Sequence, residues 1–256
     1  MKKPAAALAF AAALSLPALA QEKGERWDAR IVSASGLVAL HPADGSDSVD
    51  AEAGMPLDQG DRVVTAAEAW AEIGFDGGSL VTLRENSNFT LERTERDSSS
   101  FLLSLGSLLA KIEKLGTRQL RVRTPTAVVA VRGTEFGVEV EDEEQTHVGV
   151  YDEGQVEVRG EAGGAEMLQP QQETSVRRGE APLKAFALKR FLRHHKLARR
   201  NRARIREIRR RWKTLTPEKR VELRHQVIER VRQRRQRALF KNDDARRKRE
   251  HFRIKR

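Results

Sequence analysis

The chain has no cysteine in its 256 residues. That excludes disulfides, cysteine-ligated zinc, a thiol nucleophile and lipid attachment at a cysteine. Aromatic residues make up only 5% of it, with a single tyrosine, which fits poorly with a nucleic-acid binder that stacks bases on rings. Of 6 histidines, His41 and His147 stand without a second histidine at ligand spacing. His194-His195 are adjacent, so a helix would set them about 100° apart around its axis, poor geometry for one metal. No apolar run beyond the first twenty residues approaches the ~20 residues a membrane-spanning helix needs. Glycine-rich phosphate loops, nucleophile elbows and calcium loops are also missing. Glu141 to Glu144 lacks the alternating ligands and turn glycine of a calcium loop and reads as a solvated hairpin tip; Asp152 and Glu153 fall in another turn. No catalytic residue, metal ligand or cofactor is assigned, and the chain reads as a non-enzyme.

What is present begins with a basic start, Met1-Lys2-Lys3, an apolar run from Ala5 to Leu16, and Ala18-Leu19-Ala20 before Gln21. This is the pattern of a cleaved secretory signal peptide over residues 1–20, so the mature protein is expected in the periplasm or secreted. The net charge of +11 hides a division. Residues 1–180 carry 18 Lys+Arg against 30 Asp+Glu, and residues 181–256 carry 30 against 7. An acidic half is joined to a very basic one.

In the acidic half, short alternating segments are separated by turn signals. Ala69, Ala71, Ile73 and Phe75 alternate with Trp70, Glu72 and Gly74, and Asp76-Gly77-Gly78-Ser79 then makes a hairpin turn into Leu80 to Leu83. Strands at this spacing predict an all-β domain over residues 21–180, built of stacked hairpins as a sandwich, barrel or solenoid. Arg62 to Ala66 and Arg121 to Pro125 echo one another faintly, a weak sign of an internal repeat.

The densest signal is Leu120 to Val140. Leu120 and Val122 alternate with Arg121 and Arg123 as in a half-buried strand, and Thr124-Pro125 interrupts them where the chain is expected to turn a corner. Ala127 to Val131 has no polar break and suits a strand covered on both faces. Gly133 is the natural place for a bulge or a positive φ before Phe136, Val138 and Val140 resume alternation. The run Arg123-Thr124-Pro125 through Val131-Arg132-Gly133-Thr134-Glu135-Phe136 resembles the signature of the FecR domain, a periplasmic β domain found in regulators of ferric citrate transport. Gly36-Leu37-Val38, Gly60 to Thr65, Phe75 to Ser79 and Glu153 to Val156 stand in the family's order, so the resemblance covers roughly 30–177. It implies stacked β-hairpins in a twisted body. Regulation of gene expression is implied only for members with a cytoplasmic anti-sigma segment and a membrane span. Neither is read in this sequence, and iron-transport signalling is not carried over.

The motif residues Thr124, Pro125, Arg132, Gly133, Thr134 and Phe136 are therefore structural or partner-binding. Arg132 offers a forked donor set to a partner carboxylate, but pairing with Glu135 or a strand carbonyl is the preferred reading. Trp70, opposite the apolar face of its strand, is a possible exposed partner anchor.

From Ala181-Pro182 onward the composition turns helical. Leu183 to Trp212 predicts one helix of about thirty residues, with an apolar seam suited to a coiled coil. Thr216-Pro217-Glu218 starts a second helix, and Asn242-Asp243-Asp244 is expected to break it. Residues 181–256 thus read as a basic helical hairpin, or as a segment partly disordered until bound. Arg199, Arg200, Arg202, Arg209, Arg210, Arg211, Arg234 and Arg235 are its candidate polyanion-binding residues. The expected function is an exported interaction or sensory-scaffold protein of the bacterial envelope. In it the β domain binds an envelope protein and the tail docks to an anionic membrane, lipopolysaccharide or cell-wall polymer, with nucleic acid disfavoured. The alternative is a secreted polyanion binder with the tail as its working part. Cutting near residue 180 is expected to sever few core contacts.

Overall fold

The computed structural model describes the backbone of residues 27–95, 98–113 and 119–254, and side chains, residue 119 excepted, as far as residue 238. The expected signal peptide, residues 1–20, lies outside the described residues. In chain order the strands are β1 (Ala29–Ser35), β2 (Val38–His41), β3 (Val49–Asp50), β4 (Pro56–Leu57), β5 (Arg62–Thr65) and β6 (Trp70–Phe75). Then come β7 (Leu80–Leu83), β8 (Asn88–Arg93), β9 (Ser98–Lys111), β10 (Gln119–Arg123), β11 (Ala127–Val131) and β12 (Glu135–Val140). The last are β13 (Gln145–Val150), β14 (Val156–Gly160), β15 (Gly163–Leu168), β16 (Gln172–Arg177) and β17 (Phe186–Ala187). A 3-10 turn at Arg190–His194 leads into helix α1 (His195–Arg211), and helix α2 (Pro217–Ile254) follows.

Pairing sorts the strands into two layers. One, here the covered sheet, runs β4-β1-β6-β7-β9-β12-β13-β16-β17. The other, the open sheet, runs β3-β2-β5-β8-β9-β10-β11-β14-β15. All neighbours are antiparallel except β9 and β10. Strand β9 belongs to both layers: its first part pairs with β8 and β10, and from Gly106 onward it pairs with β7 and β12. Gly106 makes that crossing at φ +87, where a Cβ would stand 2.5 Å from the Ser87 Cα.

Between the layers lies one continuous apolar core. Ile73, Val81, Leu108, Phe136 and Val148 point into it from the covered sheet, and Leu40, Val63, Phe89, Leu103, Val129 and Val158 from the open sheet. Phe101 is central, with Phe75 and Phe89 at ring-centroid distances of 5.4 and 5.3 Å. Burying one such ring contributes roughly 2–3 kcal/mol.

The strand order also repeats. Strands β5 and β8 pair in the open sheet while β6 and β7 form a hairpin in the covered sheet. Strands β11 to β14 repeat that wiring, outer pair and inner hairpin. The sequence echo had matched β5 to β10; the topology matches β5 to β11. Short strands with like apolar periods can be aligned one strand out of step, and only pairing fixes the correspondence.

Two expectations change. Thr124-Pro125 does not turn a corner between layers, because β10 and β11 are antiparallel neighbours in the open sheet and the link is a hairpin. The corner comes later, at Arg132-Gly133-Thr134, where Gly133 has φ +93 as the chain leaves the open sheet for the covered one. Strand β11 is not covered on both faces, since Val128 and Ala130 remain half-exposed.

The tail also differs from its reading. Residues before Arg190 are extended: Leu183 N–H donates to Ser175 O and Phe186–Ala187 pairs with β16. Helical geometry starts where the buried carboxylate of Glu173 accepts the backbone N–H groups of Lys189 and Arg190, each at 3.0 Å. A carboxylate at a helix N-terminus satisfies orphan donors, and this one comes from another strand. Thr216 caps α2 through Lys219 N–H at 3.4 Å. The helix then continues unbroken through Asn242-Asp243-Asp244, because the intrinsic cost of those residues is only about 0.7 kcal/mol each amid strong helix formers. The two helices bury their apolar residues against the β body instead of against each other. Ile205 and Ile208 of α1 join Leu80, and Val227 and Val231 of α2 join the main core.

Candidate partner-binding surface

The two sheets present opposite outer faces. The covered sheet carries carboxylates and glycines there, and the tail lies across them. Gly137 and Gly149 are paired across β12 and β13. A Cβ on either would come within 2.6 and 2.5 Å of the Phe191 ring, so together they form a slot that the fully buried Phe191 fills beside Leu109, Tyr151 and Leu188. Further along, Asn201 Nδ2 donates to Thr82 Oγ1 at 3.2 Å, and Trp212 and Ile208 lie over Gly74.

Ion pairs follow the same path. Glu135 is 1% exposed and accepts from Arg202 Nε at 3.0 Å, and Arg202 also donates to Asp152 at 2.7 Å. Arg204 meets the buried Glu72 at 3.1 Å, and Arg190 and Arg193 share Glu139 at 3.0 and 2.5 Å. Desolvation pushes the Glu139 carboxyl up, but the hydrogen bond and charge of Arg193, with Arg190, bring it below its ordinary value. Hydrogen bonds from His195 and Arg202 hold Asp152 low. Tyr151, whose hydroxyl has no partner in its apolar setting, is pushed above the usual phenol range.

Helix α2 closes the end of the sandwich. Asp61 is fully buried, accepts from Ala43 N–H and Asp58 N–H at 3.0 and 2.8 Å, and holds both Nη atoms of Arg224 at 2.6 and 2.9 Å. Arg220 bridges Asp28 and Asp58 beside it. A bidentate pair with every lone pair engaged is what a buried carboxylate requires. The tail is thus built into the β body, and a cut at residue 180 would strip the Phe191 slot and leave Asp61 without its counter-ion. The expectation of few severed contacts is overturned.

Among the described residues no helix lies across the outer face of the open sheet. Register places Arg62, Thr90, Leu102, Arg123, Val128 and Arg159 side by side in a single row across six strands. At the usual strand spacing this row is about 24 Å long. Arg123 pairs with Glu92 at 3.0 Å and Arg159 with Glu157 at 2.8 Å. The neighbouring row ends in a groove of about 660 Å³ lined by Ala130, Arg132, Gln155, Glu157, Met167 and Pro170. Arg132 is exposed, and among the described residues neither it nor the exposed Arg62 has a hydrogen bond or ion pair. Pairing of Arg132 with Glu135 is excluded, because Glu135 faces the other way and is taken by Arg202.

Residues 61–157 match the family model described as FecR protein. Over that stretch the chain is similar to the FecR family. Two solved structures of a candidate anti-sigma factor from Parabacteroides distasonis ATCC 8503 are similar in part. One has 19% identity and a TM-score of 0.47, covering 53% of this chain and 64% of its own. The other has 20% identity and a TM-score of 0.45, covering 51% and 61%. In both, the aligned part is under two thirds of the solved chain's length. A comparison with curated proteins returned no match.

The matched stretch opens on Asp61 and closes on Glu157, so the FecR domain as matched includes the residue α2 clamps and one wall of the groove. Its motif residues serve both sides of the molecule. Thr124 Oγ1 accepts from Ala127 N–H at 3.0 Å and, with Thr126 and Thr146, forms a buried chain of hydroxyls. Pro125 is half-buried in that hairpin, Thr134 Oγ1 donates to Gln155 O at 3.0 Å, and Phe136 is fully buried. Of the motif, Arg132 and Gly133 alone line the groove. Trp70 is half-buried at the end of β6.

The eight tail arginines divide. Arg202 is in the clasp; Arg209 donates to Gly77 O at 2.9 Å and pairs with Glu113 at 3.3 Å; Arg211 pairs with Glu207 of its own helix. Arg234 meets Glu52 at 2.6 Å and Arg235 the Ser48 carbonyl at 3.5 Å. Arg199, Arg200 and Arg210 project outward from α1. Among the described residues no group of three His, Cys, Asp or Glu is placed to hold a metal. The sequence reading missed the buried carboxylates that meet the tail, Glu72 with Arg204, Glu135 with Arg202 and Asp61 with Arg224, although a carboxylate inside an apolar alternation, as Glu72 is in β6, is a readable sign of an approaching cation.

Proposed function

We propose that this chain is a non-enzymatic regulatory or sensory protein of the bacterial envelope, whose FecR domain recruits another envelope component through the bare face of its open sheet. One observation carries the reading. The molecule uses its own helices to cover the central strands of one sheet, and leaves the other with half-buried aliphatic side chains, two unpaired arginines and a groove. Accessible apolar surface in a defined, polar-rimmed patch is characteristic of binding faces. The tail serves first as an internal cap. Its outward cations, Arg199, Arg200 and Arg210 among them, are left for a weaker contact with anionic lipid, lipopolysaccharide or wall polymer.

The test is affinity capture from an envelope extract with the full mature chain as bait, at low and high salt. A partner held at high salt, and lost on Met167→Glu in the groove, supports recognition by the open sheet. Capture that depends only on Arg199 and Arg200, and vanishes with salt, would instead favour the polyanion-binding tail. Export is checked by N-terminal sequencing, with Gln21 expected as the first residue; a retained Met1 on a cytoplasmic protein would remove the envelope setting.

A further inference from the structure

We propose that the open sheet receives an acidic polypeptide segment bearing aliphatic side chains, with one carboxylate on Arg132 in the groove and another on Arg62 across the row. This rests on the open sheet being the partner-binding face and adds the chemistry of the partner. The molecule already shows how a sheet of this body takes a charged segment. On the covered sheet, buried carboxylates (Glu72, Glu135) meet the arginines of α1 while Phe191 fills the slot over Gly137 and Gly149. The open sheet has the opposite polarity. Its outer face bears Arg62, Arg93, Arg121, Arg123, Arg132 and Arg159 against Glu92 and Glu157; the two acids are already matched to Arg123 and Arg159, Arg93 pairs with Glu95, and Arg121 is engaged as well. Arg62 and Arg132 are the surplus.

Between these cations, Leu102, Val128 and Ala130 are half-buried, and Met167 is 48% exposed. Carboxylates spaced along a chain, with aliphatic side chains between them, match that pattern of forked donors and apolar strips. A fluid lipid surface does not, because it offers neither fixed spacing nor a shape to fill a groove of about 660 Å³. The basic tail, of this chain or of a second copy, is excluded as occupant by its charge.

The experiment uses the full mature chain and three probes: an alternating Glu-Leu peptide of roughly eight residues, long enough for the row, the matching Lys-Leu peptide, and phosphatidylglycerol vesicles. Fluorescence anisotropy should show binding of the Glu-Leu peptide, weakened about tenfold or more by Arg62→Glu with Arg132→Glu, as expected for loss of a charge-assisted pair. Arg199→Glu with Arg200→Glu should leave it within a factor of about two. An unchanged urea midpoint confirms that the variants fold, and the milder Arg62→Gln with Arg132→Gln serves if they do not. Equal binding of the Lys-Leu peptide, no binding of the Glu-Leu peptide, or an effect of the tail variant alone would overturn the proposal. Vesicle binding through Arg62 and Arg132 without peptide binding would replace it with a lipid surface. If a partner captured from the extract is held undiminished by the Arg62, Arg132 variant yet lost on Met167→Glu, this inference fails and the proposed function stands. No capture by the wild-type chain would count against the proposed function itself.

Discussion

The two sheets of this sandwich are built from the same strand wiring and share one core, yet their outer faces have opposite fates. Strands β6, β7, β12 and β13 are buried on both sides, whereas β5, β8, β11 and β14 alternate between buried and half-exposed. The difference lies in what stands at the outward positions. Gly74, Gly137 and Gly149 on the covered sheet let a helix approach until ring atoms touch the backbone, and Glu72 and Glu135 supply the charges it neutralises. At the outward positions of the open sheet, arginines and branched aliphatics keep a helix away and leave the face available. A sheet face is therefore specified as sealed or available by a handful of residues between the core positions.

The largest effect that would break this comparison is expected at Asp61. Arg224→Gln leaves a carboxylate with no exposure and no counter-ion, and urea denaturation should show a loss of about 3–5 kcal/mol. A loss under about 1 kcal/mol would mean that α2 is not part of the β body's stability. Next is the slot. Gly149→Val places side-chain atoms where Phe191 sits, costing about 1–3 kcal/mol, and limited proteolysis should then cut between β17 and α1, while Ala130→Val on the open sheet should leave the cleavage pattern unchanged.

Acidification sharpens the contrast further. Burial, then the charge of Arg190, lowers His147 despite Glu141 and Glu139; burial, then Arg193 and Arg84, lowers His194 against the pull of Glu139. A histidine lowered in the folded state favours folding above its ordinary value of 6.5, and that stability is lost as pH falls below it. Glu139 and Asp152, also lowered, hold the clasp above the ordinary carboxylate range and release it as pH falls through their folded values. Thermal unfolding should therefore shift downward in two steps, near and below pH 6.5 and again in the acid range. His147→Gln should shrink the first; a midpoint rising between pH 7 and 5 would contradict the assignment. The smallest effect is expected at Arg132, where Arg132→Gln should change the urea midpoint by no more than about 0.5 kcal/mol. A larger loss would return Arg132 to a structural role.

Much of the β body was legible in the chain. Alternation in Ala69 to Phe75, the Asp76 to Ser79 turn and the positive φ at Gly133 follow from local sterics and side-chain period, which the sequence displays directly. The recurrence of strands was visible too, though one strand out of register. Gly106 separated two apolar runs in the sequence and proved to be the bend within one strand, since a glycine marks a change of direction without saying whether pairing stops.

By itself, then, the sequence determined an all-β body of short strands, a helical region following it, the absence of thiol chemistry and the placement of opposite charges in the two halves. Those properties arise from residues near one another along the chain. Only the tertiary structure decided which arginine met which carboxylate, that Gly137 and Gly149 make one slot, that Glu173 starts the helical region, and that Arg132 is left free. Each depends on groups tens to more than a hundred residues apart, whose pairing is selected by the cost of leaving a buried charge or polar group unmatched. Composition sets that cost, and the fold alone determines which partner removes it.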